Sequence, residues 1–324
     1  MSVTGKEREQ IGQDVLKRVP AMGKICYAAV KRGNIDILKL LERRGFQFDT
    51  CMDPTTGRTP LDEAVMSNKM ESCRFLLQYV LADSTNNDNG RTALFAAAEF
   101  GFLDICKCLV EHGADPYMED IDGMTPLFVA VRNGQTDIVE YFLQYCNVDC
   151  QCWDNCKKTP LHHAASKGHL KIVQLLLESG VSANPIDKKG WSPLMAAVNG
   201  GHLAVVKEML NISSVDINQV SFDGMSPLSM AVSLGDYKMT KFLINNGAHL
   251  DMTNFTNGWS PLFYAVQYGR FEVAHYLLLR GADPVKCDHE FLPPIYHARI
   301  MGNQKLQMLI LCFIDRQVDD DVFY

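Results

Sequence analysis

The sequence predicts an all-α fold, a solenoid of helix-turn-helix units joined by β-hairpin loops and stacked into a curved, elongated array. Three observations predict it. A stretch from Thr159 to Gly180 recurs in degenerate form nine times along the 324 residues. The Pro160 position is filled in turn by Ile25, Pro60, Ala93, Pro126, Pro160, Pro193, Pro227, Pro261 and Pro294, at steps of 33 or 34 residues after a first step of 35. Four residues further on every copy has alanine, from Ala29 and Ala64 through Ala164 to Ala298, and eight residues on stands a glycine or, in the second copy, Asn68. Self-similarity at such a fixed period marks a repeat architecture.

The chemistry of the unit explains each element. Thr or Ser before Pro supplies an N-cap oxygen, and Pro at the first helical position has the φ a helix needs and no amide to waste. A short first helix therefore starts at each Thr-Pro or Ser-Pro. Leu161 and Ala164 share one face of it, and the alanine lets two helices approach closely. Gly168 ends the helix at a left-handed site, where only Gly and Asn are cheap. A second helix carries Ile172, Val173, Leu176 and Leu177 at the spacing of a buried stripe and ends at Gly180. The dozen residues that follow, rich in Asp, Asn and Gly, read as a hairpin or extended loop.

The string Thr159-Pro160-Leu161-His162, with Gly168-His169 and Leu175-Leu176 behind it, resembles the ankyrin repeat, over roughly residues 21–314. The resemblance implies nine units with the first and last as caps, and a binding surface on a concave face built from hairpin tips and first helices. It also implies that His162 makes structural hydrogen bonds between loops. Departures occur: the motif histidine is replaced by Asp62, Phe95, Phe128, Met195, Ser229 and Phe263, and the Gly180 position holds Val80, Cys146 and Ser213.

Each repeat packs on its neighbours alone, so one continuous domain is expected; at about 8–10 Å per helix layer it would span roughly 70–90 Å. Residues 1–20 form an N-terminal extension in which Ile11, Val15, Leu16 and Val19 fit a capping helix, and 315–324 read as an acidic C-terminal tail tipped by Val322-Phe323-Tyr324. Such a tail reads either as solvent-facing chain or as a short docking peptide. The extension has no apolar core of signal-peptide length, and no apolar run approaches the roughly 20 residues of a membrane span. A net charge of −7 with no basic face argues against nucleic acid and anionic membranes. Eleven cysteines, mostly at helix positions, suggest reduced thiols in a cytoplasmic or nuclear protein.

Cys146, Cys150, Cys152 and Cys156, followed by His162 and His163, offer enough ligands for a tetrahedral metal site, but their spacing is not that of zinc modules. The expectation is plain loop cysteines, with metal or redox chemistry as the lesser alternative. His169 and His202, in the Gly-His positions, read as structural. Pro293-Pro294-Ile295-Tyr296 looks like a WW-domain ligand, yet Pro294 aligns with the helix-starting prolines, which should bury Ile295. Asn211-Ile212-Ser213 and Asn254-Phe255-Thr256 are glycosylation sequons, irrelevant inside a cell.

No catalytic motif appears, and neither enzyme activity nor a cofactor is expected. Function then lies in surface. The residue before each Thr/Ser-Pro should face outward: Arg58, Arg91, Met124, Lys158, Trp191, Met225 and Trp259. So should pairs near each helix-ending glycine, among them Glu99 and Phe100, Val198 and Asn199, Ser233 and Leu234, and Gln267 and Tyr268. Copies six to eight concentrate the large ones, namely Trp191, Met225, Trp259, Leu234 and Tyr268, with Phe222 at a hairpin tip. Exposed aromatic and Met residues mark interfaces, although Trp or Met here also suits packing along the neighbouring hairpin. The sequence reads as a monomeric scaffold or adaptor for a protein partner. The alternative is a substrate-recognition subunit of a ubiquitin ligase, for whose docking box residues 289–324 leave little room.

Overall fold

The computed structural model describes residues 22–85, 89–146, 148, 150–212 and 214–322, the side chains of 316–322 excepted. It divides into two compact units, Met1–Asp149 and Cys150–Tyr324. The first holds α1 (22–32), α2 (Ile35–Arg43), α3 (Pro60–Met66), α4 (Met70–Leu76), α5 (Ala93–Phe100), α6 (Leu103–Glu111), α7 (Pro126–Arg132) and α8 (Thr136–Tyr145). The second holds α9 (Pro160–Lys167), α10 (Leu170–Glu178), α11 (Pro193–Asn199), α12 (Leu203–Leu210), α13 (Pro227–Leu234), α14 (Tyr237–Asn245), α15 (Pro261–Gln267), α16 (Phe271–Leu279), α17 (Pro294–Ile300) and α18 (Gln304–Val322). The expected capping helix in 1–20 lies outside the described residues. Helix α18 runs past Ile314 to Val322, through the segment read as a tail.

The pairing of a short first helix with a second follows the sequence pattern copy by copy. All nine repeat alanines are buried, Ala29 at 2% exposed and the others at none. Leu161, Ile172, Val173 and Leu176 are buried too, while Leu177 is half-buried. Ile295, expected in the core, is half-buried; it belongs to α17, the last first helix among the described residues.

The helix ends show why glycine recurs. Every residue eight after the Pro position has positive φ, from Gly33 (71°) through Asn68 (51°) and Gly168 (75°) to Gly302 (68°). Conformation is one reason and space is the other. A Cβ on Gly168 would lie 2.4 Å from His202 Nδ1, and one on Gly101 would lie 2.4 Å from Gln135 Oε1. Those side chains are crossing there to cap the preceding copy. His202 Nε2 meets Ser166 O at 3.1 Å, Gln135 Nε2 donates to Glu99 O at 3.0 Å, and Arg270 donates to Ser233 O at 3.2 Å. In these three copies the residue after the helix-ending glycine thus satisfies a carbonyl that the previous first helix leaves open.

The N-caps divide by the residue at the motif-histidine position. Thr159 N–H and Oγ1 meet His162 Nδ1 at 3.1 and 3.0 Å, Thr59 makes the same pair of contacts with Asp62 Oδ2 at 2.8 Å each, and Ser226 bonds Ser229. Where phenylalanine stands instead, at Phe95, Phe128 and Phe263, the cap hydroxyls of Thr92, Thr125 and Ser260 are buried without a partner. A buried hydroxyl left unpaired costs rather than stabilises. Thr125→Val is therefore expected to be neutral or slightly stabilising, whereas Thr159→Val should lose about 1–2 kcal/mol. Urea unfolding midpoints of the two variants against wild type test the contrast.

Candidate functional site

Between repeats the loops form tight turns rather than strands; among the described residues nothing more than an isolated bridge at Arg91 is extended pairing. Each turn is organised by one side chain. Asp187 Oδ1 accepts from Lys189 N–H and Trp191 N–H at 2.8 and 2.9 Å, and Asp187 N–H donates to Trp191 O at 3.0 Å. Asp120, Asp154 and Asp288 repeat this arrangement, Asn254 follows it in a loop one residue longer, and Ser221 substitutes its hydroxyl. The carboxylate's second oxygen is taken by the first helix behind it, at 2.9 Å from His163 Nε2 in one copy and 2.9 Å from His297 Nε2 in another.

Successive tips are tied together in the second unit. Lys188 N–H donates to Cys156 O, Phe222 N–H to Lys189 O, Phe255 N–H to Asp223 O and His289 N–H to Asn257 O, at 2.8–3.0 Å. The approach is so close that a Cβ on Gly190 would sit 2.7 Å from Phe222 N, and one on Gly224 would sit 2.6 Å from Phe255 N. The rings of Phe222 and Phe255 lie over those two glycines, their Cδ1 atoms 2.9 Å from the same Cβ positions. Seated over glycine, the two phenylalanines stay 65% and 64% exposed. His289 covers Gly258 in the same way, and Phe291, in the glycine register of the last tip, has φ +59° and is 86% exposed.

The residues expected at the surface sort into three groups. Phe222, Leu234, Tyr268 and Phe100 are exposed. Trp191, Met225 and Trp259 are half-buried. The Trp259 ring stacks on Phe263 at 6.3 Å and 7° and meets Tyr264 and His297 edge-on at 5.7 and 5.9 Å, so it packs between two copies. Trp191 carries Lys189 Nζ over its ring at 5.7 Å, and its carbonyl accepts from His162.

Met124 is buried, at 4% exposed. Its backbone is locked to Asp120 on both sides, and the flexible thioether folds inward. Val198 is buried as well, because Gly201 carries the left-handed turn and the residues just before it are Asn199 and Gly200. Phe255 and Phe291 are exposed too, outside the positions that the repeat register marks as outward-facing. The longer loop shifts Phe255 out of register with Phe222, and the signal for Phe291 was a missing glycine before Leu292.

The two histidines near the cysteine loop are engaged elsewhere. His162 Nδ1 faces the Thr159 N–H, an obligate donor, so Nε2 bears the proton and donates to Trp191 O at 2.9 Å. Burial outweighs that bond and pushes its pKa down to about 4. His163 is held by Asp154. Cys146 is pushed up by burial, which disfavours the thiolate a metal needs. Among the described residues no three His, Cys, Asp or Glu side chains converge as metal ligands. Asn254 of the second sequon is buried against Thr256 and Tyr264. Pro293 and Pro294 start α17 rather than an extended ligand strand.

A family model described as ankyrin repeats matches residues 78–153, 146–221 and 199–288. The chain belongs to the ankyrin repeat family. Its ankyrin repeats are also similar to those of curated proteins. A 26S proteasome non-ATPase regulatory subunit 10 of Dictyostelium discoideum is 38% identical over 68 residues, 21% of this chain and 29% of that one. A probable E3 ubiquitin-protein ligase of Oryza sativa subsp. japonica is 46% identical over 54 residues, 17% of this chain and 11% of its own length. The mouse protein phosphatase 1 regulatory subunit 12A is 44% identical over 43 residues, 13% of this chain and 4% of that protein. The chain thus spans less than a third of each of these relatives. Ankyrin repeats make it a protein–protein interaction module, and among the described residues no helix is long and apolar enough to cross a membrane.

Proposed function

We propose that this chain is a non-enzymatic scaffold or adaptor whose protein partner seats on the loop tips of copies six to nine. The observation that carries this reading is the pair of phenylalanines, Phe222 and Phe255, seated over glycines on hydrogen-bonded tips and left more than half exposed. A ring seated on the glycine of a neighbouring tip has fewer open rotamers than one projecting freely, which lowers the entropy that binding it costs. Aromatic anchors of this kind dominate interface energetics. Leu234 and Tyr268, exposed near the ends of their first helices, extend the surface a partner would meet. The ligase and proteasome names among the relatives attach to short runs of repeats, which supports an interaction module more than a part in ubiquitin chemistry. Its cysteine usage fits the cytoplasm or nucleus.

The double variant Phe222→Ala/Phe255→Ala is expected to weaken a partner captured from native extract by about tenfold or more, with an unchanged melting temperature. Leu279→Ala, exposed on a second helix, serves as the control. Trp259 is a poor probe, because its stacking contacts belong to the fold. Undiminished binding by the double variant would place the interface elsewhere.

A further inference from the structure

At the start of the first unit, Gly23, Cys26 and Tyr27 share one face of α1, at the i, i+3, i+4 spacing of neighbours on a helix. The loop after α2 lies on that face. A Cβ built on Gly23 would be 3.7 Å from Cys51 Sγ, and the Tyr27 hydroxyl reaches Cys51 O at 3.5 Å and Arg58 O at 2.5 Å. Gly23 and Tyr27, the neighbours of Cys26 on that face, thus both meet Cys51. The two cysteines differ in setting: Cys26 is fully buried, whereas Cys51 is half-buried and lines a cavity of about 700 Å3 together with Met22, Tyr27, Phe46 and Met52.

We propose that Cys26 and Cys51 form an oxidisable dithiol, in which Cys51 reacts with a small peroxide entering through the cavity and Cys26 resolves it to a disulfide. The Cys26 thiol lowers the pKa of Cys51, while Cys51 and burial raise that of Cys26, which keeps it a proton donor. In the first step the Cys51 thiolate attacks one peroxide oxygen. The O–O bond breaks, a sulfenic acid forms on Cys51, and the departing hydroxide takes up a proton to leave as water. In the second, the Cys26 sulfur attacks Cys51 Sγ, the S–O bond breaks, and the Cys26 proton leaves with the hydroxyl as a second water. Two thiols lose two electrons and one peroxide is reduced to two waters. The product ties the first helix of the array to the loop after α2, closing a loop across the first repeat.

The full chain is treated with one equivalent of hydrogen peroxide, alkylated and mapped by mass spectrometry. A Cys26–Cys51 cross-linked peptide lacking two hydrogens is expected, formed at least about threefold faster than exposed Cys287 is oxidised. With Cys26→Ser, dimedone should label Cys51 as the trapped sulfenic acid. With Cys51→Ser, Cys26 should stay reduced. The wild-type map decides even if a variant fails to fold: oxidation that starts at Cys156 or Cys287, or Cys51 oxidised beyond sulfenic acid with Cys26 still a thiol, overturns the proposal.

Discussion

Gly224→Ala is expected to lower stability by about 2–3 kcal/mol, whereas Gly247→Ala costs only about 1 kcal/mol. Both glycines have positive φ, 80° and 93°, so the left-handed backbone penalises an added Cβ at either. They differ in surroundings. Nothing lies within 4 Å of a Cβ on Gly247, while one on Gly224 meets Phe255 N at 2.6 Å and Asn254 Cα at 2.9 Å, backbone atoms that cannot swing aside. The tip must then separate from its neighbour, loosening the Phe255 N–H to Asp223 O bond and lifting the ring from its seat.

The chain shows at two other tips what accommodation requires. Lys157, in the same register with φ 57°, bears a Cβ, and the residue that crosses it is Lys188 rather than an aromatic ring. Phe291 bears a whole ring at the last tip and projects into solvent. Urea unfolding of the two alanine variants measures the difference. Equal losses at both positions would mean that backbone strain alone sets the need for glycine, and that the stacked tips add nothing.

The repeat was legible because its constraints are local. A Pro at N1, an alanine where helices touch and a residue that tolerates positive φ are each imposed by a few neighbours, so residues 25 to 302 announced all nine copies. The surface was legible only in part. Phe222, Leu234, Tyr268 and Phe100 were placed correctly at the exterior by register. Met124 was not, because the direction of a side chain from a turn depends on what packs behind it; Trp259 takes the other course open to it, packing on Phe263 and on His297 of the next copy. Phe255 was hidden by one inserted residue. The thiol pair of Cys26 and Cys51 was hidden for a different reason, since it joins two elements of a repeat whose loop sequence follows no motif.

Acidification is expected to destabilise the chain through His162, by on the order of 3 kcal/mol between pH 6.5 and about 4. The imidazole is 1% exposed and works only when neutral, with Nδ1 accepting from Thr159 and Nε2 donating to Trp191 O. In the unfolded chain it has the ordinary histidine pKa and takes up a proton below about 6.5. The folded chain refuses that proton down to about 4. Over that window the unfolded state binds more protons, so stability rises with pH and is lost as pH falls; above 6.5 the contribution is fully present.

His162→Phe makes the test specific, since phenylalanine already fills this position in three other copies. At pH 7 the variant should be about 1–2 kcal/mol less stable than wild type, having orphaned the Thr159 cap. As pH falls it should be spared this histidine's share of the acid loss, so that the two stability curves converge and cross before pH 4. Urea unfolding at several pH values reads both curves. Parallel curves would show that the acid sensitivity does not come through His162, and that burial of the motif histidine is no stability switch.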